Sequence, residues 1–297
     1  MRAQDLIDAA ATDRTSGSSA IVLAAAAGLS ALAQESPEPQ TFAPAFLEAA
    51  RVLLVQQPVM GALWRLVNDC LIEADAAESH EFAADAVAAT ARSVAGRTKR
   101  HSSLIIHELA ALAPARGVIL TTSASTTLEA AFAAMGKAGR IHTVYCCEAR
   151  PGGEADELAK RLRAQRVRAE AIPDAAAAVA VDRADLVVIG ADAVGPGWAM
   201  NKVGSRPLAT VAELAGKRAV VVADTSKLVP EPIAEVIEAR VDTDPTRAAF
   251  ETIPWRHLGG WLSEDGLATP VTVSSLAHEV RLHERLTVLA GELSRIR

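Results

Sequence analysis

Asp192, Asn201 and Lys202 are the residues of this chain whose types and spacing best suit chemistry. They lie in LVVIGADAVGPGWAMNKVGSRPLA, residues 186–209, where an apolar run ends at Ile189 and is followed by Gly190, Ala191 and a lone acid. A carboxylate directly after a buried strand can exchange a proton or bind sugar hydroxyls. An amide can fix hydroxyls, and an ammonium can hold an anion. The same acid could instead accept backbone hydrogen bonds within its own loop. A Gly/Pro loop is expected to lead from Asp192 to Asn201 and Lys202, with a helix starting just beyond.

Three other segments offer polar groups. Thr121-Thr-Ser-Ala-Ser-Thr-Thr127 joins a strand to a helix. Its hydroxyls, Ser123 and Ser125 among them, suit a phosphate beside free helix N–H groups, or Ser125 or Thr126 simply caps the helix. Glu148-Ala-Arg-Pro151 supplies Arg150, which either meets a phosphate or pairs with Glu148. Asp224-Thr-Ser-Lys227 supplies Lys227, a second candidate cation or a merely solvated one.

Composition excludes several classes. The net charge is −6 with no basic block, whereas a nucleic-acid surface needs clustered Lys and Arg. The histidines are scattered, without His-Glu-x-x-His or Cys-x-x-Cys, so neither a metal nor another cofactor is expected. Cys70, Cys146 and Cys147 make no disulfide framework, which fits a reducing cytoplasm, and the latter two read as packing residues in a strand. Ala20–Ala33 contains Gly28 and Ser30 and reads as a buried helix too short for a membrane span, with Asp5, Asp8 and Asp13 ahead of it arguing against a signal peptide. Gly195-Pro-Gly197 resembles the start of a dinucleotide fingerprint, but Met200 stands at the third glycine position and Pro196 is awkward there, so a nicotinamide enzyme is not expected.

These groups need elements to position them. Residues 1–112 carry helical periodicity in Phe46–Val55, Gly61–Ala76, Glu81–Ala95 and His101–Leu112, with a proline-bearing linker at Glu35–Pro44. From residue 113 the pattern changes. Short apolar strands are expected at Gly117–Leu120, His142–Cys147, Arg168–Ile172, Leu186–Ile189 and Ala219–Ala223, alternating with helices as in βαβ units. After Ala223 the pattern reads as loops and one final helix, about Leu276–Leu293. The fold class is therefore α/β, a helical domain (1–112) followed by a Rossmann-like parallel-sheet domain (113–297). Right-handed crossovers place every strand's C-terminal end on one edge, so the four polar segments are expected to share one crevice.

Taken together, VILTTSAS (118–125), CEARP (147–151), GADAV (190–194), NKVGS (201–205), the lysine of TSKLVP (225–230) and ATPVTVSS (268–275) resemble the initiation factor 2B α/β/δ subunit family. Its metabolic relatives are methylthioribose-1-phosphate isomerase and ribose-1,5-bisphosphate isomerase. The resemblance implies the same two-part fold and commonly a homodimer formed through the C-terminal domain. In the isomerases a cysteine after the first strand and the aspartate of the GAD motif form the acid–base pair. The aspartate falls on Asp192, but the cysteine position falls on Ser123. A hydroxyl is a far weaker acid than a thiol of pKa about 8.5. The family's glycine-rich N-terminal loop is loosely matched by Arg14-Thr-Ser-Gly-Ser-Ser19, making Ser16 and Gly17 candidates for phosphate contact, and an arginine before a proline is replaced by Gln57 before Pro58. The expectation is a sugar-phosphate- or nucleotide-binding protein that acts through dimerisation or a protein partner. The alternative is an aldose–ketose isomerase using Asp192 with Ser123 or another group.

Overall fold

The computed structural model describes residues 2–36, 38–76 and 83–295. In chain order it forms α1 (Ala3–Thr12), α2 (Ser18–Glu35), α3 (Pro39–Gln56), α4 (Gly61–Asp75) and α5 (Ala84–Leu112). Then come β1 (Gly117–Thr122), α6 (Thr126–Lys137), β2 (Ile141–Cys147), α7 (Ala155–Ala164), β3 (Ala169–Ile172), α8 (Ala177–Arg183) and β4 (Leu186–Gly190). A hairpin of β5 (Ala193–Val194) and β6 (Trp198–Lys202) precedes α9 (Ser205–Leu214), β7 (Ala219–Val222) and α10 (Glu231–Ala239). The chain ends with β8 (Phe250–Pro254), β9 (Leu258–Ser263), β10 (Gly266–Ala268), α11 (Pro270–Glu279) and α12 (Glu284–Leu293).

Contacts divide the chain into two compact units: residues 1–99, 226–240 and 278–297, and residues 100–225 and 241–277. This departs from a single boundary at 112/113. The physical reason is that α10 and α12 pack on each other and α12 packs on α4, so two late helices join the first unit.

The first unit is helical. Gly28 lets α2 approach α1 closely, since a β-carbon there would stand 2.8 Å from Ile7 Cγ1. At 18 residues and mean hydropathy 1.3, α2 is longer than the Ala20–Ala33 reading and passes a membrane-span test by length and composition. Its Ile21, Ala25 and Leu29 are nonetheless buried within the unit, as in a core helix. The expected Glu35–Pro44 linker is mostly helix: α3 begins with Pro39, where proline's fixed φ suits a helix start, and it tolerates Pro44. The expected helix start at Glu81 lies outside the described residues, and the two expected helices after it are the single α5.

The second unit is built on a seven-stranded sheet in the order β10-β9-β7-β4-β1-β2-β3, parallel except for β10. All five expected strands are present. The strand order reverses between β1 and β4, the switch point where open α/β sheets bind ligands. The stretch after Ala223 is not mainly loop, because β9 and β10 extend the sheet and β8 completes a separate antiparallel sheet, β5-β6-β8. Trp261, buried, explains the extension: its indole N–H donates to Ala223 O at 2.8 Å, tying β9 to the end of β7.

Candidate functional site

The loop between β1 and α6 leaves the switch point with its hydroxyls largely buried. Ser123 is 5% exposed and held at φ 63°, a left-handed conformation that costs a non-glycine residue about 1 kcal/mol. Its Oγ donates to Glu154 Oε2 at 2.7 Å, and the Ala124 N–H reaches the same oxygen at 3.2 Å. Ser125 is the N-cap of α6, its Oγ accepting from Leu128 N at 3.3 Å, the capping role its sequence context allowed. Thr121 and Thr122, also buried, carry hydroxyls without a hydrogen-bond partner among the described residues.

Asp192 follows β4 directly and is half-buried. Its N–H donates to Met200 O at 2.8 Å across the hairpin, while its carboxylate accepts no hydrogen bond among the described residues. Asn201 and Lys202 are strand residues on β6, not part of the expected loop, because the Gly/Pro sequence is the tight turn of the hairpin. Asn201 is buried and donates from Nδ2 to Ser205 Oγ at 2.8 Å; that hydroxyl donates to Lys202 O at 2.7 Å. Gly190 makes the junction possible. A β-carbon there would meet Ser125 Cβ at 3.0 Å and Asn201 Oδ1 at 3.9 Å, so the residues after β1, at the end of β4 and on β6 converge around it.

Lys202 Nζ lies 2.9 Å from Glu154 Oε1 and 4.9 Å from the centre of the Phe250 ring, an ion pair and a cation–π contact on one ammonium. Burial alone would raise the Glu154 carboxyl. The hydrogen bonds from Ser123 and Lys202, the Lys202 charge and the Ala124 N–H outweigh it and hold the group below the ordinary glutamate range. Glu251 accepts from the Arg206 N–H at 2.9 Å at the start of α9, yet burial outweighs its backbone donors and raises its carboxyl.

Arg150 is 62% exposed and its Nε sits 3.4 Å from Glu148 Oε2, the internal pair that its sequence context allowed. Cys146 and Cys147 are buried, with thiols pushed up to about 12 chiefly by desolvation, as packing residues would be.

The remaining candidates belong to the helical unit. Lys227 is buried, and its Nζ donates to Ser18 Oγ at 3.1 Å. Ser16 and Gly17 are exposed, but the Ser16 N–H already serves Asp13 Oδ1 at 2.9 Å. These bonds to Ser16 and Thr15 hold the Asp13 carboxyl well below its usual range. Gln57 donates from Nε2 to Asp13 O at 2.6 Å and to Ala11 O at 3.1 Å, so it closes the end of α1.

Sequence reasoning missed Glu154, which falls at the start of the helix expected between the second and third strands. Its usable signal is position: it follows Gly152-Gly153 immediately after CEARP.

A family model, the initiation factor 2 subunit family (IF-2B), matches residues 14–251. The chain belongs to this family. A ribose 1,5-bisphosphate isomerase of Haloterrigena turkmenica is 30% identical over 189 residues, 55% of this chain and 58% of that protein. The enzyme of the same name from Haloferax volcanii is 31% identical over 54% of this chain and 56% of its own. The chain thus matches little more than half the length of these relatives. Among solved structures, the Pyrococcus horikoshii translation initiation factor eIF-2B superposes with a TM-score of 0.76 at 20% identity, covering 90% of this chain and 97% of the other. The 5-methylthioribose 1-phosphate isomerase of the same organism gives 0.69 at 21%, covering 93% and 86%. At these identities the likeness speaks for the IF-2B fold alone.

Proposed function

We propose that this IF-2B family member is a regulatory binder of a phosphorylated small molecule, a sugar phosphate or nucleotide, rather than an isomerase. The observation that carries the reading is the convergence of Ser123 Oγ, Ala124 N–H and Lys202 Nζ on one anion at the sheet's switch point. A hydroxyl, a backbone N–H and an ammonium form a phosphate-binding donor set. Ribose bisphosphate in the names of the matched relatives favours a sugar phosphate over other anions. In this reading Lys202 and Ser125 face the phosphate, Asp192 and Asn201 take sugar hydroxyls, and Arg150 is an outer anion contact. Ser16, Gly17 and Lys227 are a further phosphate contact within the helical unit. The protein acts as a homodimer or through a protein partner.

Ser123 argues against turnover. Its hydroxyl is a weak acid, and the carboxylate that accepts its hydrogen bond is held below the usual glutamate range and is a poor base. Asp192 favours the second reading, an aldose–ketose isomerase, because a half-buried carboxylate without a side-chain partner among the described residues is available to move a proton between neighbouring carbons. Calorimetry against pentose phosphates and nucleoside monophosphates, paired with an isomerisation assay, separates the two. Binding without turnover is expected. Turnover abolished by Asp192→Asn would replace the binder with the isomerase.

A further inference from the structure

The three donors that meet at Glu154 come from β1, from the residue before the α6 cap and from β6, whereas the acceptor stands at the N-cap of α7. Ser123 sits at the buried end of β1, Ala124 precedes the cap of a 12-residue helix, and Lys202 is paired into β6. Glu154 has a 30% exposed side chain at the margin of α7, preceded by Gly152 and by Gly153 at φ 69°. A β-carbon at Gly152 would stand 3.4 Å from Glu154 Oε1, so Gly152 adds no side chain of its own beside that carboxylate, while the Arg150 guanidinium lies against Gly153. A separate observation concerns the residue just before Ser123. The Thr122 hydroxyl, 2% exposed and without a partner among the described residues, lies 3.9 Å from where a β-carbon at Gly204 would be. A buried orphan hydroxyl is rare in a finished core and calls for an explanation, such as a water, an ion or a ligand that completes the hydrogen bonding.

We propose that Glu154 is an internal occupant of the anion site: its carboxylate holds the place of a ligand's phosphate, and the phosphate displaces it on binding. The inference rests on the phosphorylated-ligand reading above. Displacement makes the site selective. A monoanionic carboxylate ligand only exchanges one carboxylate for another, whereas a phosphate monoester dianion brings more charge and a third acceptor oxygen to Lys202, Ser123 and the Ala124 N–H. Because only the fraction of molecules with Glu154 withdrawn is competent, the occupant also lowers the apparent affinity.

The test is calorimetric titration of the full chain with inorganic phosphate and with ribose 5-phosphate. It compares wild type, Glu154→Gln, Glu154→Ala, Lys202→Met and the Glu154→Ala/Lys202→Met pair, with circular dichroism to confirm folding. Removing the competitor is expected to tighten binding on the order of tenfold in Glu154→Ala, the equivalent of one charge-assisted contact. A smaller gain is expected in Glu154→Gln, whose amide oxygen still accepts and which serves if the alanine variant does not fold. Lys202→Met weakens binding and cancels the gain in the double variant. Affinity unchanged or weakened in both Glu154 variants, with wild type binding normally, overturns the occupant and leaves the binding function standing. Absence of binding in every protein, wild type included, overturns both.

Discussion

Glu154 and Glu251 sit in the same unit, each partly buried and each accepting from the chain near a helix start, yet their carboxyls move in opposite directions. Burial works against the charged form of both. At Glu251 the donors are chiefly backbone N–H groups of Arg206, Gly204 and Ser205, and burial wins. At Glu154 a hydroxyl and an ammonium are added, and burial loses. Backbone N–H groups and the Arg206 charge do not offset burial at Glu251, whereas a hydroxyl and an ammonium in direct contact, with the Ala124 N–H, do so at Glu154. The largest expected effect follows from removing that ammonium. Lys202→Met is expected to lower stability by about 1–3 kcal/mol in urea unfolding, towards the lower figure because both partners are about 30% exposed. Arg206→Ala keeps its backbone N–H to Glu251 and should cost under about 0.5 kcal/mol. Equal losses would erase the distinction.

Acid titration sharpens the same contrast by sign. Glu154, held below the ordinary value of 4.5, contributes stability above that pH and loses it as the pH falls through its folded value. Glu251, raised above 4.5, does the reverse: its contribution is complete below 4.5 and is lost as the pH rises through its folded value. The stability difference between wild type and Glu154→Gln should therefore shrink on acidification. Glu251→Gln should match wild type at and below pH 4.5 and become the more stable of the two as the pH rises above it. Slopes of the same sign from denaturant midpoints at several pH values would break the comparison.

Much of the fold was legible because the parallel sheet leaves a simple trace. Leu186–Ile189 and Ala219–Val222 are apolar throughout, as strands covered on both faces must be. The β5–β6 hairpin was hidden because Gly195-Pro-Gly197 reads as a loop whether the flanking residues pair or not. For the same reason the sequence places Asn201 and Lys202 in that loop. Asp192, Ser123 and Lys202 were legible as chemistry, but their partners were not. Pairing of Ser123 with Glu154 joins residues 31 positions apart through the crossover geometry, which no local pattern encodes. The return of α10 and α12 to the helical unit was invisible for a similar reason, since an amphipathic helix does not name the surface it will cover.

Ser123 allows a finer cut through the Glu154 arrangement. Ser123→Ala and Ser123→Gly both lose the hydroxyl-to-carboxylate bond, a loss of about 1–2 kcal/mol. Only glycine relieves the backbone at φ 63°, so Ser123→Gly should be the more stable of the two by about 1 kcal/mol. If the two variants unfold at the same denaturant concentration, the left-handed conformation is not a cost and the loop holds Ser123 less firmly than the anion site requires.

The smallest effect belongs to Arg150, the other cation of the sheet-bearing unit's polar loops. Its guanidinium is 62% exposed and meets Glu148 at 3.4 Å, a geometry in which solvent screens most of the attraction. Arg150→Ala should leave stability within about 0.5 kcal/mol of wild type, and added salt should change the difference little. The value of the measurement lies beside Lys202→Met. Two cations of the same formal charge differ because one is fixed on a strand between a carboxylate and an aromatic ring, and the other ends a loop in water. A large loss at Arg150 would mean that exposure is a poor guide to electrostatic worth in this crevice, and Glu154 would then be only one of several carboxylates competing for its cations.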